Sequence, residues 1–170
     1  MIPGAMRLFV VMLGGRHPRA RIELHDVAFA VGHSLEQTFE QLRAQWFGEL
    51  KDLHIDSWLE VDGVDDWRVR FSDAAPAEDS PRLFFLNLGG YVAGMFGEAH
   101  RYRLIVASDV AAAKRRALST LGADWFKPHR DALFEVDDCL PLDRIGQRYI
   151  HLSAGAHAGI RQHSDYIVLC

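Results

Sequence analysis

The chain has little cysteine: two in 170 residues, Cys139 and Cys170. Two cysteines build no disulfide framework, and neither stands in a metal-ligand spacing such as C-x-x-C. That usage fits a reducing cytoplasm. Long apolar runs are also missing. The run 8–13 is far too short to cross a bilayer, and no charged n-region precedes an apolar h-region at the start. Nor is there a basic excess, since the net charge is −4 with a pI near 6.1. Duplex binders carry such an excess, so neither nucleic acid nor membrane is an expected partner. Two local basic groups, Arg16/His17/Arg19/Arg21 and Lys114/Arg115/Arg116, read as a solvated loop and a solvated helix face. The chain has no H-E-x-x-H, no P-loop lysine, no nucleophile elbow and no dinucleotide fingerprint. Without those contexts, Gly14-Gly15 and Gly89-Gly90 read as turn or bulge glycines rather than a phosphate cradle.

What is present is an ordinary globular composition, 49% apolar and 25% charged. A chain of this length buries roughly 70% of its unfolded surface. It also matches itself at an offset of 75 residues. Arg7-Leu8-Phe9 falls on Arg82-Leu83-Phe84, Leu13-Gly14-Gly15 on Leu88-Gly89-Gly90, and Glu23-x-His25 on Glu98-x-His100. His54-x-Asp56 falls on His129-x-Asp131, and Glu60-Val61-Asp62 on Glu135-Val136-Asp137. The match runs without a gap from 7 to 62, and clustered matches of this kind indicate tandem duplication.

Each copy reads alike. The continuous apolar run 8–13 suggests a strand buried on both faces. A second strand alternates Val27, Phe29 and Val31 with Ala28 and Ala30. Ser34 with Gln37 is a capping-box pattern, and Leu35, Phe39, Leu42 and Trp46 form one helical stripe ending near Gly48. In the second copy Asp109 takes the cap, followed by Val110, Ala113, Ala117, Leu121 and Gly122. Third and fourth strands follow at 55–61 and 67–71, with the second fourth strand at 149–152. The expected fold is therefore α+β: a ββαββ unit twice, each a small, mostly antiparallel sheet covered by one helix, related by pseudo-twofold symmetry. The expected boundaries are 1–75 and 82–153, a linker at 76–81, and a tail at 154–170 with a short terminal strand.

The phrases Leu83-Phe84-Phe85-Leu86-Asn87-Leu88-Gly89-Gly90-Tyr91, Glu23-Leu24-His25-Asp26-Val27 and His54-Ile55-Asp56-Ser57-Trp58 carry a resemblance. Over about residues 7–152 the chain resembles an uncharacterised bacterial family known only as a domain of unknown function, DUF1543. The resemblance implies one or two copies per chain and supplies no catalytic residues.

The candidate chemistry lies in the repeated polar pairs. Residues i and i+2 on extended backbone share a face. Glu23 with His25, and His54 with Asp56, are such pairs, as are Glu98 with His100 and His129 with Asp131. If they converge, each copy offers two acids and two imidazoles, ligand types suited to a divalent metal and to acid–base work near neutral pH. The bland reading stands beside this one: a histidine at the rim of a core face, hydrogen-bonded to an acid. Trp46, Trp67 and Trp125 read as core. Trp58 shares strand parity with His54 and Asp56 and is a candidate wall for a pocket. Ser57 as a nucleophile is discounted because Ala132 takes its place in the second copy. The function expected is a binding module for a small molecule or protein partner at two pseudo-equivalent sites, with a homodimer allowed. The alternatives are a metal-assisted enzyme using the same residues and a structural oligomerisation protein.

Overall fold

The computed structural model describes residues 5–91, 94–119 and 135–169. His129 and Asp131 lie outside the described residues, as do Leu121, Gly122 and Trp125. The chain forms two compact units: residues 1–75 with 144–170, and residues 76–143.

Unit one holds two antiparallel sheets. The first has the order β11-β3-β1-β2, with β1 Arg7–Gly15, β2 Leu24–Gly32, β3 His54–Val61 and β11 Ile160–Val168. The second has the order β4-β5-β10-β9, with β4 Gly63–Val64, β5 Trp67–Ser72, β9 Arg144–Ile145 and β10 Arg148–Ala154. Unit two holds one sheet of order β7-β6-β8, with β6 Arg82–Tyr91, β7 Glu98–Ala107 and β8 Glu135–Pro141.

The ββαββ unit with a covering helix is therefore not what the chain forms. Antiparallel strand dominates in three sheets, and the described helices are short: a 3-10 turn Glu36–Thr38 leading into α1 Phe39–Gln45, and α2 Val110–Ser119. The fourth strands β5 and β10 leave the sheets of their own hairpins and pair with each other, Ser72 opposite Tyr149 and Trp67 opposite Ala154. That pairing satisfies the ladder groups of both strands in a sheet of their own. The C-terminal strand is also longer than expected and fills the free edge of β3.

The core of unit one forms where the odd residues of β1 (Phe9, Val11 and Leu13) meet Ala28, Ala30, Leu35, Leu42, Trp46, Ile55 and Leu169. The alanines of β2 leave room for α1. Phe39 packs at the edge of this cluster, so the helical stripe faces the core as its spacing requires. The expected Ser34 cap is not made; the first turn is capped at Leu35 without a side-chain bond. In unit two Asp109 does cap α2, its Oδ1 accepting the Ala112 N–H at 2.8 Å. That hydrogen bond is the main reason its carboxyl titrates below the usual range. Ala113 and Ala117 are buried there, while Val110 is exposed.

Edge strand β2 has its backbone closed by helix side chains. Gln41 accepts from the Val31 N–H and donates to the Val31 carbonyl; Gln45 does the same at Phe29. Residues i and i+4 of a helix lie about 6 Å apart along its axis, close to the roughly 6.8 Å between i and i+2 of a strand. In unit two Arg116 occupies the place of Gln41 and donates to the Val106 carbonyl at 2.7 Å.

One irregularity decides which side chains share a face. The ladder between β1 and β3 shifts register at Met12/Leu13, so that Leu13 faces Ile55, Met12 faces Ser57, and Asp56 is the extra residue of a β-bulge. Between β6 and β8 the same shift falls at Asn87/Leu88, with Leu88 opposite Val136 and Asp137 as the extra residue.

Candidate metal centre

Two polar clusters occupy matching places in the first and third sheets. In unit one, Gly14 stands between His25 on β2 and His54 on β3. Being even-numbered on β1, it faces away from the core formed by Phe9, Val11 and Leu13. His25, His54 and the bulged Asp56 meet above it, and Glu23 reaches in from just before β2. His25 Nε2 lies 3.4 Å from Glu23 Oε1 and 3.2 Å from Asp56 Oδ2. His54 Nε2 lies 3.7 Å from Glu23 Oε1 and 3.5 Å from Asp56 Oδ1. All four expected residues of this copy are thus brought together. His54 is 2% exposed, whereas the other three side chains are between one-third and one-half exposed. The site has a closed floor and an open side.

The floor fixes the tautomer of the neutral His54 ring. Its Nδ1 lies 2.7 Å from the carbonyl oxygen of Asp52, which can only accept, so Nδ1 carries the proton. Asp52 holds a left-handed backbone, φ 64°, a conformation that Asp tolerates better than most residues. In the neutral ring Nε2 then presents a lone pair to two carboxylates, acceptor against acceptor. Asp56 Oδ2 is itself a buried oxygen that accepts no hydrogen bond among the described residues. The Tyr166 ring lies against the His54 ring, centroids 4.4 Å apart.

Gly14 lies inside β1 rather than in a turn, and neither it nor Gly15 has positive φ. Its reason is room. A Cβ there would collide with His54 Nε2 and sit 2.8 Å from Asp56 Oδ2. Gly89 does the same in unit two, where a Cβ would collide with Asp137 Oδ2 and crowd Glu98 Oε1.

Glu98, His100 and Asp137 form the second cluster, with one donor atom from each within 4.8 Å of the others. The expected partners of His100, His129 and Asp131, lie outside the described residues. Among the described residues the ladder sets Glu135 opposite Gly89, where His54 stands opposite Gly14, and so puts Asp137 in the place of Asp56. Matching ladder positions lie 75 residues apart in the hairpins and 81 apart in the third strands.

Trp58 does not wall the first cluster. The bulge reverses strand parity after Asp56, so Trp58 packs against the core and stacks on His163, centroids 4.9 Å apart. Beside it, Glu60 is buried and bridges Arg7 and Arg161.

The family described as Domain of Unknown Function (DUF1543) matches residues 20–71, a stretch holding all four ligand candidates of the first cluster. Over 97% of this chain and 98% of the other, the chain is similar to the crystal structure of a protein Il1583 from Idiomarina loihiensis, at 30% identity and a TM-score of 0.73. The chain belongs to the DUF1543 family. No curated protein matches it.

Sequence reasoning missed three parts of this DUF1543 chain's clusters. Asp137 was hidden by a gapless alignment that prefers Glu135-Val136-Asp137 on Glu60-Val61-Asp62. Tyr166 sits 112 positions after His54 and has no counterpart in the repeat. Asn87 lies in a strand phrase read as apolar, and its Oδ1 is 3.0 Å from His100 Nδ1. Cys139 takes no part: it packs against the unit-two core, and burial pushes its thiol pKa up. Among the described residues no helix is long and apolar enough to cross a membrane.

Proposed function

We propose that this protein is a metal-binding module, and that Glu23, His25, His54 and Asp56 hold a divalent transition-metal ion. The observation that carries the reading is the orientation of His54. Its outer nitrogen is committed to a backbone carbonyl, the arrangement that orients metal-bound imidazoles. Its inner nitrogen faces two carboxylates, and a cation between them turns that mismatch into attraction. Each imidazole Nε2 has both carboxylates nearby, the four nitrogen–oxygen separations running from 3.2 to 3.7 Å. Two imidazoles and two carboxylates suit zinc, iron, manganese or nickel.

The exposure of His25, Glu23 and Asp56 leaves one side of the ion to solvent. An ion so placed keeps a position for water or a small anionic ligand, as in metal sites that bind and polarise substrates. This open side favours metal-assisted chemistry as the second reading, with a small anionic molecule as the ligand.

The test is zinc uptake by chelator-stripped protein, measured by calorimetry and elemental analysis in wild type and His54→Gln. The expected result is one fewer equivalent of tightly bound zinc in the variant. Bound ion at 100 times its dissociation constant adds about 2.7 kcal/mol of stability, which thermal unfolding reads independently. Equal uptake by both proteins would show that His54 serves a hydrogen-bonded network instead.

A further inference from the structure

The second sheet of unit one divides its residues between two faces of opposite character. Cross-strand neighbours share a face, as do residues i and i+2 of one strand. The pairs Val64 with Trp67, Val69 with Leu152, Phe71 with Ile150, and Ile145 with Arg148 therefore line one face, where Val64, Val69, Ile145 and Ile150 are buried. The other face carries Arg68 between Gly63 and Ser153, Arg70 beside His151, and Tyr149 between Ser72 and Arg144. Three arginines and no acid stand on it, in a chain whose net charge is −4. Arg70 makes no hydrogen bond or ion pair among the described residues. Arg144 is exposed and lies over the Tyr149 ring, 5.3 Å from its centroid. Arg68 Nη2 stands 3.8 Å from Asp62 Oδ2, and its buried Nε has no hydrogen-bond partner among the described residues.

The same face holds a fixed ring plane. A Cβ on Gly63 would collide with three atoms of the His157 ring at once, so the imidazole lies flat on this glycine. Both of its nitrogens are committed: Nδ1 accepts the Gly159 N–H at 3.0 Å, and Nε2 donates to the Asp65 carbonyl at 2.9 Å. One side of the half-buried ring rests on the sheet and the other is turned outward. Beside it opens a cavity of about 440 Å³ lined by Asp65, Asp66, Ala154 and His157. Its oxygen acceptors suit the exocyclic amino groups of a nucleobase. Guanidinium forks bind phosphates, and a fixed aromatic plane stacks on an unpaired base. Sheet faces that offer both hold single strands. An acidic peptide would meet the arginines but gain nothing from the ring plane, and a duplex has no unstacked base to offer. We infer that this face binds single-stranded nucleic acid, with phosphates on Arg68, Arg70 and Arg144 and a base on His157. Net charge speaks against a duplex binder, yet it averages over the whole chain, and this face departs from the average.

The experiment titrates the chelator-stripped full chain into a labelled oligoadenylate of about ten nucleotides and follows fluorescence anisotropy. Three phosphate contacts give a slope of about −2 in log affinity against log salt. Arg70→Gln combined with Arg144→Gln should weaken binding about tenfold at low salt and bring the slope to about −0.7, with circular dichroism unchanged. His54→Gln should bind the strand as tightly as wild type, which separates this surface from the metal site proposed above. Unlabelled oligoadenylate should displace the label, and oligoglutamate or polyphosphate of equal charge should do so about tenfold less well, because neither has a base to stack. Absence of binding at low salt, or equal binding by the double variant, would overturn the inference. So would weaker binding by His54→Gln, which would put the contact at the metal cluster. Equal displacement by either base-free chain would also overturn it, leaving a surface for acidic polymers in general.

Discussion

At Gly14 the missing side chain is the space that the site uses. Gly14→Ala would drive a Cβ into His54 Nε2 and toward Asp56 Oδ2. His54 has nowhere to retreat, because its ring is held by the Asp52 carbonyl beneath and lies against Tyr166. Overpacking of this kind costs about 1–3 kcal/mol. The expected outcome is a less stable protein on chemical denaturation that no longer takes up zinc, and a variant with full uptake would show that the cluster is not built around this glycine. The i, i+2 pairs were legible because strand parity is a local property. That parity correctly places His54 with Asp56 and Glu23 with His25. It fails at Trp58, because a bulge inserts one residue and every later side chain changes face. Nothing in the phrase Ile55-Asp56-Ser57 announces a bulge, since its cause lies in the opposing strand and in the polar groups that meet above Gly14.

The strands themselves were the most readable elements. The runs 8–13 and 83–88 read as strands and fold as strands, for their apolar continuity suits a chain covered on both faces. Helix α1 kept its apolar stripe but lost its expected length and cap. Its polar face has a task that no hydropathy pattern records. Gln41 and Gln45 pair with the open edge of β2, the very groups by which a sheet recruits another strand. Replacing both with leucine would leave four hydrogen-bonding groups of Phe29 and Val31 without these partners. A net loss of about 0.5–1.5 kcal/mol per hydrogen bond follows. Concentration-dependent self-association should accompany it in sedimentation runs. A double variant that stays monodisperse and equally stable would show that this edge needs no cover.

On the scale of the molecule, unit two is an insertion in unit one. β5 precedes the insert, β9 and β10 follow it, and β5 and β10 are hydrogen-bonded neighbours; the ion pair of Arg148 with Asp73 lies beside the point of departure. Unit two closes on itself through a two-point pair of Arg82 with Asp143. Removing 76–143 and joining Ala75 to Arg144 through about four glycine and serine residues should therefore leave a folded unit one. Ser72 and Arg144 both stand opposite Tyr149, about two strand spacings or roughly 10 Å apart, well within reach of residues 73–75 and such a linker. The shortened chain should unfold cooperatively and still take up zinc; a chain without a thermal transition would mean that unit one depends on the insert. Sequence reading could not see this arrangement. Each fourth strand is a plausible partner for its own hairpin, and the exchange between them is decided by pairing across more than 70 residues. The gapless 75-residue match concealed it further by masking the six residues added before the third strand of unit two.

The last strand of the first sheet has a consequence in time. Between Val61, where β3 ends, and Ile160, where β11 begins, lie 98 residues. At synthesis rates of roughly 5–20 residues per second, β3 waits about 5–20 s for its neighbour. During that wait one edge of β3 is uncovered, Leu169 is absent from the core, and Tyr166 has not yet reached His54. Unit two, continuous in the chain, can finish folding inside this interval. Until β11 is made the enclosing part lacks its last strand, and for those seconds the uncovered edge of β3 is where a chaperone or a neighbouring nascent chain would engage it.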